Sequence, residues 1–138
     1  MNLDINNFRK LNFWAGCLHL ISFVLILALS NDASLPVVAT YLTEAPGTGN
    51  FSDPVNLFNL NISYMVAAFM ALSAFFHFFI CLPSTFKKYT TGLKRGINSY
   101  RWIEYSLSST IMIIVILQLN GTADYIALLG ISGGNICM

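Results

Sequence analysis

Three long apolar runs constrain the fold of this chain more than any other feature. They predict helices over residues 11–30, 57–82 and 97–119, and each has the roughly 20 residues that a helix needs to cross a hydrocarbon core about 30 Å thick. Of the 138 residues, 56% are hydrophobic and 9% are charged, whereas an average soluble domain has about 25% charged residues. The sequence therefore predicts an all-α membrane protein with a single transmembrane domain over residues 1–138.

The first run has a rival interpretation as a cleaved signal peptide. Arg9 and Lys10 precede the run, and Ala28-Leu29-Ser30 resembles a small-residue cleavage site. The apolar part is longer than the usual 7 to 15 residues or so of such peptides, which favours a membrane-spanning helix.

A fourth apolar segment occupies residues 125–138. It has 14 residues, too few to cross a membrane. We expect it to be the truncated start of a fourth helix, and the chain to be a fragment or a truncated gene product.

The two longer connections differ in character. In the first, residues 31–56, the segment Leu35–Thr43 is rich in β-branched and aromatic residues, and Ala45–Gly49 is a turn signal, which together predict a short β-strand or hairpin. The second, residues 83–96, contains four basic residues and the helix breakers Gly92 and Gly96. It is predicted to be a basic connecting loop.

The basic residues also predict the orientation. All seven Lys and Arg residues lie before the first apolar run, between the second and the third, or at the start of the third. By the positive-inside rule, the N-terminus and the loop 83–96 are cytoplasmic, and the loop 31–56 is external. The glycosylation sequons at Asn50, Asn61 and Asn120 are all external in this topology.

The start of the third run carries charge where hydrocarbon is expected. Glu104 follows Arg101 and precedes Ser108, with spacings of three and four residues that place all three on one side of a helix. An ionisable residue inside a membrane costs about 3 kcal/mol on insertion scales and is a functional candidate by default. The alternative is that Arg101 reaches the cytoplasmic interface and forms a simple ion pair with Glu104.

Two histidines are predicted at the depth of Glu104. His19, His77 and Glu104 each lie six to eight residues from the cytoplasmic end of their run, which is about 9–12 Å at the helical rise. Together they can form a proton-accepting cluster, because histidine titrates near neutral pH. Alternatively each histidine is a hydrogen-bonded packing residue, with Ser73 as the partner of His77.

Several classes of function lack sequence support. The net charge of +1 and the lack of a basic cluster with interleaved aromatic residues argue against nucleic-acid binding. Cys17, Cys81 and Cys137 share no metal or redox spacing and are interpreted as packing residues. Because neither a metal motif, a nucleophile motif nor a phosphate-binding loop occurs, we predict no metal site and no enzyme activity.

The run Arg101-Trp102-Ile103-Glu104-Tyr105-Ser106 resembles the third helix of microbial-type rhodopsins, and of heliorhodopsins in particular. The cytoplasmic N-terminus, the long external first loop and a histidine in each of the first two helices agree with that family. The resemblance implies that the chain is the first three helices and the start of the fourth of a seven-helix bundle.

The same resemblance implies a cofactor and its contacts. All-trans retinal would have Glu104 as the counter-ion of its protonated Schiff base, with His19 and His77 accepting protons. The residues expected along the retinal are Ser108, Ser109, Met112, Asn135 and Met138. Val115 stands where proton pumps of the superfamily have a donor acid, so the resemblance implies a non-pumping, signalling photoreceptor.

The attachment lysine of the family has no counterpart here. Lys10, Lys87, Lys88 and Lys94 all lie outside the predicted apolar runs, so the pigment would require a longer form or a complementary piece. The expected partners are membrane lipid, a second copy of the chain in a homodimer and an unknown signalling partner. Two alternatives stay open: a small proton or ion transporter or channel subunit that uses Glu104, His19 and His77, and an interaction protein whose polar residues only join helices.

Overall fold

The computed structural model describes residues 5–137 and consists of five helices and two strands. In chain order they are α1 (Ile5–Ala28), β1 (Ser34–Ala39), β2 (Val55–Asn61), α2 (Ile62–Cys81), α3 (Pro83–Lys94), α4 (Ser99–Leu119) and α5 (Tyr125–Ile136).

Three of these helices are long and apolar enough to cross a membrane. They comprise Asn7–Ala28 within α1, all of α2 and all of α4, and have 22, 20 and 21 residues respectively. At about 1.5 Å per residue, even the shortest reaches the roughly 30 Å of a hydrocarbon core. α5 is apolar but shorter. The three long helices and the short fourth segment match the predicted pattern, while residues 5–137 do not test the predicted count of seven helices.

The predicted start of the second helix at residue 57 is wrong, because residues 57–61 belong to β2. The segment Val55–Asn61 interleaves three asparagines with apolar residues, and its first five residues are exposed, so both faces of the strand are accessible there. The Asn61 side chain then accepts a hydrogen bond from the Tyr64 backbone N–H and caps α2, as asparagine commonly does at helix starts. The first helix also begins earlier than predicted, at Ile5 rather than residue 11.

The predicted strand in the first loop forms a hairpin with β2. β1 and β2 pair antiparallel from Ser34↔Asn61 to Ala39↔Val55, with an irregularity between Val37 and Val38. Val37 is 1% exposed, and the Val38 N–H donates to the carbonyl of Ala123, in the turn between α4 and α5, at 2.9 Å. The hairpin therefore packs on one end of the helices, opposite the end that carries the basic residues.

The prediction of a loop over residues 83–96 is wrong for most of that segment, which forms α3. Pro83 stands in the first turn, where its fixed φ suits a helix and its missing N–H costs nothing. Gly92 does not break the helix: the Ile97 N–H donates to the carbonyl of Gly92 at 3.0 Å, and a Cβ at Gly92 would lie 2.9 Å from the carbonyl oxygen of Ile97. The chain leaves the helix at Gly96, whose φ is +73°.

Gln118 joins α4 to the hairpin by one weak contact. Its Nε2 donates to the carbonyl of Pro36 at 3.4 Å, while its buried Oε1 has no hydrogen-bond partner among residues 5–137. An unpaired buried polar atom costs about 1–3 kcal/mol. We therefore expect Gln118→Met to leave the thermal unfolding temperature in detergent unchanged or to raise it.

The control for this prediction is Gln118→Ala. It removes the same amide but leaves a cavity, and we expect it to lower the unfolding temperature. If Gln118→Met were as destabilising as Gln118→Ala, the amide itself would be stabilising the contact between α4 and the hairpin.

Candidate functional site

Glu104 is a buried carboxylate near the start of α4. The Asn98 side chain accepts the Arg101 backbone N–H at 3.1 Å and so caps this helix. That cap fixes where α4 begins and places Arg101 and Glu104 in its first two turns. Glu104 is 5% exposed, although α4 begins close to the basic end of the bundle.

Both oxygens of Glu104 have partners. Ser73 Oγ of α2 donates to Oε1 at 2.8 Å, and Arg101 Nη1 donates to Oε2 at 3.0 Å. The Arg101 side chain is 55% exposed, so the ion pair links a buried acid to a partly solvated base. Each carboxylate oxygen has two lone pairs, which leaves capacity to accept a further hydrogen bond on each oxygen.

The alternative in which Ser73 is the partner of His77 is not what the structure shows, because Ser73 donates to Glu104. The proposed pairing of Arg101 with Glu104 does occur. It occurs together with the Ser73 contact, so the carboxylate is held from two helices rather than from its own helix alone.

His19 and His77 lie against each other between α1 and α2. Their ring centroids are 5.4 Å apart and their planes differ by 11°. The stacking brings one ring of α1 into direct contact with one ring of α2, so the two histidines form a polar contact between these helices.

Asn12 determines the tautomer of neutral His77. The Asn12 amide nitrogen donates to the carbonyl of Phe8 at 2.8 Å, which turns its Oδ1 toward His77 Nδ1 at 3.0 Å. In this arrangement Nδ1 carries the proton of a neutral His77, and Nε2 has a free lone pair. His77 can consequently accept a proton at Nε2 without losing its bond to Asn12.

One cavity of about 130 Å³ brings His77 and Glu104 together. A single water needs only about 10–15 Å³ of such space, so the cavity has room for several. The other polar residues that line it are Asn12, Tyr89, Asn98, Tyr100 and Arg101. His19 contacts this cavity only through His77.

The residues expected along the retinal occupy different surroundings. Ser108 is 2% exposed, with its Oγ near the carbonyl of Tyr105 at 3.4 Å. Asn135 Nδ2 donates to Ser109 Oγ at 2.8 Å, which joins α5 to α4. Met112 is 42% exposed and borders a separate apolar cavity of about 230 Å³ between α2 and α4. Met138 lies outside the described residues.

Sequence reasoning missed most of the polar lining. Asn12 was visible as a polar residue inside an apolar run, and this signal identifies a residue that must find a partner. Tyr89 gave no such signal, because it lies in a polar segment whose helix was not predicted. Asn98 and Tyr100 gave none either, because they stand at the polar start of the third predicted helix, where polar residues are expected.

The sequence of this chain was compared with family models and with curated proteins. A family model described as Heliorhodopsin matches residues 8–138, a range that contains every residue of the candidate site. None of the curated proteins compared with the chain matches it. Together with the three apolar helices, the family match supports an integral membrane protein.

Proposed function

The chain belongs to the heliorhodopsin family, and from this premise we propose that it functions in a light-sensing, non-pumping retinal photoreceptor with Glu104 as the Schiff-base counter-ion. The observation that carries the proposal is the buried carboxylate of Glu104, held by Ser73 and Arg101. A buried acid in a membrane helix requires a positive partner. Arg101 is such a partner, but its side chain is half exposed.

The face of α4 beside Glu104 fits a long apolar ligand with a cationic end. Tyr105, Ser109, Met112 and Ile116 follow at spacings of four, three and four residues and so share one stripe of the helix. Tyr105, Met112 and Ile116 are 54%, 42% and 45% exposed, because no described element covers them. When bound as a protonated Schiff base, all-trans retinal would supply the light absorption and the positive charge.

The lysines of this chain are not candidates for attachment. All four, Lys10, Lys87, Lys88 and Lys94, lie at the basic end of the helices rather than along this stripe. We propose that the attachment lysine comes from a helix outside residues 1–138, and that the residues of this chain supply the counter-ion and the proton acceptor.

The proposed proton acceptor is the pair of histidines with Glu104. His77 shares the polar cavity with Glu104, and its Nε2 is free while Asn12 holds Nδ1. His19 stacks on His77 and completes the cluster on the side of α1. A proton that leaves the neighbourhood of Glu104 on illumination can therefore stay within the protein.

The runner-up function is a proton or ion transporter, which the polar cavity would favour. Against it, the buried residues of α4 beyond Glu104 are Ser108, Val115 and Gln118, and none of these titrates. A proton relay toward the hairpin end would have to cross this stretch without a donor or acceptor acid on the described part of α4.

Illumination separates the two functions. The chain is joined to heliorhodopsin helices that supply the lysine, expressed in cells and given all-trans retinal. We expect a visible absorption band and no light-driven pH change that a protonophore abolishes. A band with a protonophore-sensitive pH change would favour transport, and the lack of any band would contradict the photoreceptor proposal.

We also propose a cytoplasmic basic end and a homodimer with an unidentified signalling partner. The complete segregation of Lys and Arg to one end of the helices supports the orientation. The exposed aromatic residues of the hairpin region, Tyr41, Phe51 and Phe58, support a dimer contact there, because such apolar exposure often identifies an interface.

A further inference from the structure

α3 is an amphipathic helix with two distinct faces. Thr85, Phe86, Tyr89 and Leu93 are buried or half-buried against the bundle, whereas Ser84, Lys87, Lys88, Thr91 and Arg95 are exposed. These two sets alternate with the helical period of 3.6 residues. The basic residues therefore share one face of the helix and are not distributed over its whole surface.

The basic face borders an open cleft of about 610 Å³ between α3 and the start of α4. Lys87, Lys88 and Arg95 line it together with the hydroxyl groups of Ser84 and Ser99, while the Thr91 hydroxyl donates to the carbonyl of Lys87 at 2.8 Å. The volume lies within the range of about 300–1,000 Å³ that is usual for small-molecule sites. Ammonium, guanidinium and hydroxyl donors together are the groups that bind phosphate oxygens.

Within residues 5–137, negative charge is lacking around this cleft. Among the described residues no carboxylate lines it. Asp32, Glu44, Asp53 and Asp124 belong to the hairpin end of the chain, and Glu104 is buried and paired with Arg101. The cations of the cleft thus face no acid of the described chain that could neutralise them.

The position of the cleft favours a membrane source for the anion. α3 connects the end of α2 to the start of α4, so it lies where two membrane-spanning helices reach the interface. Leu82 and Ile97, at the two ends of α3, are 49% and 47% exposed. Exposed apolar side chains that flank a basic face are typical of a helix lying in the headgroup layer.

We propose that the cleft lined by Lys87, Lys88 and Arg95 binds the phosphate group of an anionic phospholipid. Leu82 and Ile97 insert toward the acyl chains, and the three cations hold the headgroup. Arg9 does not take part: its Nε donates to the carbonyl of Cys81, and its guanidinium lies 5.9 Å from the centre of the Phe86 ring. The site is independent of retinal and of Glu104, so either proposal can fail without the other.

The test compares two double variants with the same loss of charge. Lys87→Gln/Arg95→Gln removes two cations of the cleft, and Lys10→Gln/Lys94→Gln removes two cations of the same end that do not line it. The purified chain is titrated in detergent with phosphatidylglycerol or phosphatidylcholine, and bound lipid is counted by native mass spectrometry. We expect the parent to prefer phosphatidylglycerol, and the cleft variant to lose about fivefold or more of that preference, because each basic residue near an anionic lipid contributes about a fivefold factor.

The control variant should lose less than about twofold, since its cations contribute only through screened, longer-range attraction. Equal losses in both variants, or no preference in the parent, would overturn the proposal. A third arm adds inorganic phosphate at constant ionic strength. Displacement of the lipid by millimolar phosphate would show a site for a soluble anion and would overturn the assignment to lipid.

Discussion

Glu104→Gln is expected to move the visible band of the pigment to longer wavelength and to make the pigment lose its retinal more readily. A carboxylate about 4 Å from a cation contributes about 4 kcal/mol at an effective dielectric constant near 20. Such a carboxylate stabilises the ground state, in which the positive charge lies at the nitrogen end of the chromophore. Removing the carboxylate therefore reduces the energy difference between the ground state and an excited state in which that charge is displaced. The measurement is the absorption spectrum of the chain joined to heliorhodopsin helices that supply the lysine.

Two companion variants make this prediction specific. Glu44→Gln makes the same chemical change in the exposed loop of the hairpin, where Glu44 accepts a hydrogen bond from Asn50, and should leave the band where it is. Glu104→Asp keeps the negative charge and should stay closer to the parent than Glu104→Gln. A band that does not move in Glu104→Gln would mean that Glu104 is a structural partner of Arg101 and Ser73.

The contacts of Glu104 also show what the sequence can predict. A run of about 20 apolar residues predicts a membrane-spanning helix because of hydrocarbon thickness alone, and a fixed rise per residue gives the depth of each side chain. These two rules were enough to place His19, His77 and Glu104 near one level. The partner of Ser73 depends instead on how α2 is rotated against α4, and no periodicity within α2 determines that rotation.

Helix α3 was missed for a different reason. Its apolar residues, Phe86, Tyr89 and Leu93, form a narrow stripe within a basic segment, and Gly92 was interpreted as a breaker. The helix is stabilised by packing on its neighbours, which outweighs the roughly 1 kcal/mol cost of a glycine. Tyr89, the residue of α3 that lines the polar cavity, could be found only once this helix was known.

Met112 and Asn135 show the limit of a resemblance. Both are expected along one ligand, and this stays a prediction: in the structure Asn135 joins α5 to α4 through Ser109 and Thr110, and Met112 borders a cavity shared with α2. A motif shared with a family implies the same residue types at the same spacing. No element among the described residues covers the exposed stripe of α4, so the resemblance alone assigns no protein contacts to it.

The second large effect is expected for Gly16→Leu, which acts on the contact between α1 and α2. A Cβ at Gly16 would lie 3.0–3.1 Å from three atoms of the Phe78 ring, and Phe78 is itself packed edge-to-face against Phe13 with ring centroids 5.9 Å apart. A leucine there must displace the ring or separate the helices, at a cost of about 1–3 kcal/mol or more. We expect a clear fall in the thermal unfolding temperature, measured by circular dichroism in detergent.

Gly16→Ala and Gly130→Leu separate packing from helix propensity. Alanine requires the Phe78 ring to move by a few tenths of an ångström, and its higher helix propensity, worth about 1 kcal/mol, should offset that strain. Gly130→Leu adds the same side chain to α5 at a position where a Cβ meets nothing within 4 Å, so it should not lower the unfolding temperature. Because His19 lies one turn after Gly16, only Gly16→Leu should also separate the stacked rings of His19 and His77, an effect that histidine-selective NMR detects. Equal destabilisation by Gly16→Leu and Gly130→Leu would contradict the packing argument for Gly16. Unchanged histidine signals in Gly16→Leu would show that the close approach of α1 to α2 does not hold the histidine pair together.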